Sequence, residues 1–65
     1  MNSLVLEGEV MDVNDKKFTL AAKDCTIVCT GLRPVKHGMK VRIVGRLHSE
    51  GSEITVIVEY MEMKK

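Results

Sequence analysis

The sequence predicts an all-β domain of five strands closed into an antiparallel Greek-key barrel. Three observations carry this. Apolar and polar residues alternate with a period of two through most of the chain, the signature of strands with one buried face. Short polar turns separate the runs at regular spacing, as in a meander. Five strands are too few for a two-sheet sandwich, whereas closing them into a barrel removes most exposed edges.

The first strand is Leu4–Val13, with Leu6 and Val10 on one face, Glu7 and Glu9 on the other, and Gly8 at a bend. Asn14, Asp15 and Lys16 make a turn, since Asn and Asp bond their own backbone and favour tight reversals. Lys17–Ala22 follows with Phe18, Leu20 and Ala22 inward. Lys23 and Asp24 turn the chain into Cys25–Thr30, whose Cys25, Ile27 and Cys29 face in while Thr26 and Val28 face out. Gly31–Gly38 contains Pro34 and is bracketed by glycine, so it is a connection with room for one 3₁₀ turn.

A long hairpin closes the chain: Met39–His48, a turn at Ser49–Gly51, and Ser52–Met61, followed by a polar tail. Val41, Ile43 and Leu47 are expected to face the core, matched by Ile54, Val56, Val58 and Tyr60. Gly45 interrupts the alternation and marks a bulge or bend.

Sixty-five residues make one domain, here 1–65 with a core of about 4–61. The apolar fraction of 45% excludes a disordered chain, and no apolar run reaches the ~20 residues that span a bilayer. An intracellular, cytoplasmic protein with no membrane partner is expected, nucleoid-associated if its ligand is DNA. Cys25 and Cys29 on one strand lie ~13 Å apart, too far for a disulfide, and their spacing is poor for zinc. Free thiols fit a reducing compartment, and no metal or other cofactor is expected. The methionines near strand ends read as gap-fillers at the barrel's open ends. No catalytic motif occurs, so the chain is not expected to be an enzyme.

The net charge of +1 does not imply a polyanionic partner, so electrostatics must rest on local clusters. The cations are Lys16, Lys17, Lys23, Arg33, Lys36, Lys40, Arg42 and Arg46, beside two lysines of the tail. By alternation Lys40, Arg42 and Arg46 share the outer face of the fourth strand, a candidate phosphate track. Phe18 and Tyr60 are the two aromatic residues, both in phase with the core, which leaves no platform for stacking bases. Outward Val5, Val28, Val44 and Ile57 offer an apolar patch for a homodimer or a larger subunit.

Strand with a central glycine (Gly8 in EGEV), meander (Phe18–Leu20, Ile27), connection, then VRIVGRL over Val41–Leu47 resembles the OB-fold across Leu4–Tyr60. Within that fold it is similar to the small subunit of replication protein A and its archaeal relatives. Shared features are the F-x-L strand, V-x-V-x-G-R, an I-x-V strand, and a short connection where other OB domains have a helix after strand three. The resemblance implies that strands two and three bind a single strand, flanked by the loops Val13–Lys16 and His48–Ser52. Site residues expected from residue pattern and resemblance together are Lys16, Lys17, Thr19, Thr26, Val28, Lys40, Arg42, Arg46 and His48. The expected function is binding of single-stranded DNA, or RNA, in replication, recombination or repair. The alternative is an OB-fold assembly module with little nucleic-acid binding, since the small subunit it resembles serves mainly in assembly. An excised domain, such as an anticodon-binding domain, is a third reading that the initiator-like Met1 disfavours.

Overall fold

A computed structural model describes residues 3–31 and 35–64, with Glu50 described in its backbone alone. Arg33 and Pro34 lie outside the described residues. Among the described residues there are five strands: β1 (Ser3–Val13), β2 (Lys17–Ala22), β3 (Thr26–Thr30), β4 (Lys40–Glu50) and β5 (Glu53–Met63). They close into a barrel in the ring order β1-β2-β3-β5-β4, with β4 paired back to β1. Four of the pairings are antiparallel, and β3 meets β5 in parallel.

Alternation predicts the core well. Val10, Phe18, Leu20, Cys29, Val41, Ile43, Val56 and Val58 are buried inside the barrel, joined by Met61. Each apolar side chain so buried is worth roughly 1.5–3 kcal/mol in transfer free energy. Val35 and Met39 of the connection pack against this core. The connection is anchored by Val10 N–H donating to Met39 O at 2.8 Å and Gly38 N–H donating to Val10 O at 2.7 Å. Gly38 has φ +92°, a left-handed backbone suited to glycine.

Two glycines allow the strands to coil this tightly. A Cβ on Gly8 would lie 2.3 Å from the Ala21 carbonyl oxygen, and one on Gly45 would lie 2.4 Å from that of Ile57. The irregularity expected at Gly45 is present, but the extra residue sits on the partner strand. Val44 pairs with Tyr60 and Gly45 with Val58, so Glu59 is the inserted residue and β4 keeps its alternation.

That insertion corrects one expectation. Tyr60 does not face the core: the phase of β5 slips at Glu59, Met61 takes the inward place, and Tyr60 is 59% exposed. Leu47 and Ile54 are also exposed, at 47% and 57%. Their register partners are Val56 and Ser49, and the hairpin there runs past the barrel wall, since β1 pairs β4 no further than Arg46. Cys25 is exposed because β3 begins at Thr26, leaving Cys25 in the turn, where its carbonyl accepts from Ala22 N–H at 2.8 Å. Among the described residues no helix is long and apolar enough to cross a membrane.

Candidate nucleic-acid interface

The register links outward residues into rows around the barrel. One row runs Lys17, Thr30, Ile57, Arg46, crossing β2, β3, β5 and β4. The next runs Thr19, Val28, Thr55, His48 over the same strands. A third runs Lys40, Glu9, Ala21, Thr26 over β4, β1, β2 and β3. Three steps at ~4.8 Å put the backbones of Lys17 and Arg46 ~15 Å apart along the wall.

Between the first two rows and the β1–β2 turn lies a shallow cavity of about 300 Å³. It is lined by Asp12, Asn14, Lys17, Phe18, Thr19, Val28, Glu53, Ile54 and Thr55. The turn that forms one wall is closed by Asn14 N–H donating to Lys17 O at 2.8 Å. Lys16 and Lys17 border a second cavity of about 270 Å³, which reaches Gly31 and Val35 at the end of the barrel. Phe18 contributes to the wall but is buried, so its ring serves the core as expected.

The nine expected site residues therefore divide. Lys17, Thr19 and Val28 line the groove, and Lys16 stands on the adjoining turn. Arg46 and His48 end the same two rows on β4. Thr26 lies one row away, towards the β2–β3 turn. Lys40 and Arg42 belong elsewhere: they pair with Glu9 and Glu7 of β1, at the other end of β4. Outward alternation puts three cations on one strand, but the coil of the barrel distributes them around its circumference.

The charges differ in their surroundings. Arg46 Nε lies 2.8 Å from Glu59 Oε2, with both side chains about half exposed. Arg42 Nε lies 3.7 Å from Glu7 Oε2, and Lys64 Nζ donates to Glu7 Oε1 at 2.8 Å. That hydrogen bond and the charge of Lys64, with a lesser contribution from Arg42, hold the Glu7 carboxyl below its usual range. Exposed pairs of this kind are worth about 0–1 kcal/mol, so an arriving phosphate can replace the carboxylate at little cost. Beneath the groove, burial pushes the Cys29 thiol up to about 11.

Residue reasoning missed Asp12, Glu53, Ile54 and Thr55. Asp12 reaches the groove because the β1–β2 register shifts between Val10 and Val13, which no local pattern reveals. Glu53, Ile54 and Thr55 follow the β4–β5 turn, and their nearness to that loop was the available signal.

A closed five-stranded barrel of this ring order, with a groove over β2, β3 and β5 between two turns, defines an OB-fold. No family model and no curated protein matches the sequence. Among solved structures the chain is similar, over 100% of its length, to a chain in one titled "Structure and Conformational Change of a Replication Protein A Heterotrimer Bound to ssDNA", with a TM-score of 0.74 and 15% identity. The likeness is one of fold, and this chain spans 59% of that chain's length.

Proposed function

We propose that this chain binds single-stranded nucleic acid, DNA by preference, in the groove over β2, β3 and β5, as a module of replication, recombination or repair. The observation that carries the reading is the groove itself, which lies between the β1–β2 and β4–β5 turns with Lys17 on its wall and Arg46 at the end of the adjacent row. The similar solved structure is described as bound to single-stranded DNA, in keeping with this assignment. The groove offers small and apolar side chains (Thr19, Val28, Ile54, Thr55) and no aromatic platform, while Asp12 and Glu53 offset its cations. Binding is accordingly weak and strongly salt-dependent, because phosphate neutralisation supplies most of it. Titration of a labelled single-stranded oligonucleotide at low and high salt tests this. Binding at low salt that falls steeply with added salt is expected; no binding at low salt sinks the reading.

A second reading, an assembly module, has its own observation. Val5, Val44 and Tyr60 lie side by side across β1, β4 and β5, forming an apolar row on the outer surface, with Val5 and Tyr60 more than half exposed. Such rows favour a protein partner. Sedimentation of wild type and Tyr60→Ser over a concentration series tests self-association through this row: wild type should associate and the variant should not.

A further inference from the structure

We infer that a second phosphate-binding position exists outside the groove, in a cup bounded by Lys23, Lys40 and Lys64, where it receives the backbone of the same single strand. The inference rests on the nucleic-acid reading above and adds the direction the strand takes.

The cup holds about 390 Å³ and is open to solvent. Its floor is made of small residues, with Gly8 holding β1 against Ala21 too closely for any side chain. Its three ammonium groups come from three separate segments: Lys23 from the β2–β3 turn, Lys40 from the start of β4, and Lys64 from just past β5. Lys64 N–H donates to Lys40 O at 2.8 Å, which fixes these two neighbours together. Glu7 and Glu9 also line the cup. Glu7 is neutralised by Lys64 at 2.8 Å and Arg42 at 3.7 Å. Among the described residues Lys23 and Lys40 have no ion pair, so two cations face Glu9 alone, although Lys40 stands opposite it in the register.

The cup and the groove are joined by β2. Its outward side chains run Lys17, Thr19, Ala21 and then Lys23 in the turn, cations at both ends and small residues between. Six residue steps at ~3.3 Å separate the ends by ~20 Å. Thr26, an expected site residue left outside the groove, lies opposite Ala21 on this path. A strand that enters at Lys17 and follows β2 meets Lys23 and Lys40 only if it is long enough to span that distance.

Length dependence therefore tests the proposal. Thymidine oligomers of about four and about twelve nucleotides bracket the smaller site sizes of single OB folds. Their affinities would be measured by anisotropy over a salt series for wild type, the double variant Lys23→Ala/Lys40→Ala, and the exposed control Lys36→Ala. For the long oligomer the double variant should lower the log–log salt slope by about 1.4, at ~0.7 for each phosphate no longer neutralised. For the short oligomer it should change affinity less than about twofold, and the control should match wild type on both. Glu9→Gln should tighten the long oligomer about two- to fivefold, a gain that damage to the fold does not produce. Equal effects on both lengths, or none on either, overturn the cup and leave the groove standing. Failure of wild type to bind either oligomer overturns the groove reading, and the cup with it.

Discussion

The groove over β2, β3 and β5 and the outer surface of β1, β4 and β5 share a strand yet differ in chemistry. In the groove Lys17 forms no ion pair among the described residues, the side chains along the floor are threonine and valine, Asp12 and Glu53 stand at the edges, and two turns raise the walls. On the opposite surface an apolar row crosses three strands and is bordered by Arg46–Glu59 on one side and Glu7–Arg42 on the other. Outward cations are therefore not equivalent. A cation paired with a carboxylate on its neighbouring strand, as Arg46 is with Glu59, takes an anion only by exchanging that partner, whereas one beside threonine and valine is open to an anion at once. Glu59 belongs to both stories: as the inserted residue of β5 it turns Tyr60 outward, and as a carboxylate it orients Arg46 at the end of the groove row.

The largest effect should come from the glycine that permits this insertion. Gly45→Ala would drive a Cβ against the Ile57 carbonyl and is expected to cost roughly 3 kcal/mol or more in urea denaturation. Gly51→Ala is the control, because Gly51 has φ +63° but open space around it, and should cost about 1–2 kcal/mol. Equal losses at the two sites would mean that the close approach of β4 and β5 is not what separates the two surfaces.

The next effect concerns the thiol beneath the groove. Cys29 titrates at about 11 when folded, up from 9.0, so the folded state holds its proton more tightly. That contribution is fully present at neutral pH, is lost as pH rises from about 9 to about 11, and amounts to no more than about 3 kcal/mol. The stability gap between wild type and Cys29→Ala should therefore narrow over that interval. A gap constant with pH would place the thiol in contact with water.

Smaller still are the single cations. Lys17→Ala and Arg46→Ala should each weaken single-stranded DNA binding about three- to tenfold at low salt, while Arg42→Ala should change it less than about twofold. Equal losses from all three would restore a phosphate track along β4. The smallest effect is at Glu7, whose depressed carboxyl contributes stability above the ordinary carboxylate range and loses it as pH falls. Comparing Glu7→Gln with wild type from about pH 6 to about pH 3 should show a slightly shallower acid decline in the variant. Identical curves would mean that Lys64 and Arg42 do not sense Glu7 in solution.

Much of this architecture is legible in the residues. Alternation alone assigns Val10, Phe18, Leu20, Val41, Ile43, Val56 and Val58 to the core, and all are buried. It fails at Tyr60, because an insertion changes the phase of one strand and its location depends on contacts across the sheet, as the close approach of Gly45 to Ile57 shows. The site is less legible than the core. That Lys17 and Arg46 lie in one row follows from the parallel pairing of Thr30 with Ile57, and nothing local to either segment specifies that meeting. Lys40 and Arg42 read as partners of Arg46 along a strand, but their neighbours across β1 decide what they do.

The parallel junction of β3 with β5 has a kinetic consequence. The β1–β2, β2–β3 and β4–β5 hairpins each close over a short turn, whereas β3 and β5 meet through three register pairs, Val28 with Thr55, Cys29 with Val56 and Thr30 with Ile57. Two junctions join distant parts of the chain, and of these β1–β4 is held by seven register pairs against three at β3–β5, so the parallel junction repays its closure entropy least and forms last. The barrel should thus open first along this line, its amides exchanging ahead of those in the β4–β5 ladder. Because the groove crosses the same line, an oligonucleotide lying from Thr19 over Val28 to Thr55 would hold the last-formed junction shut, and occupancy would appear as slower unfolding.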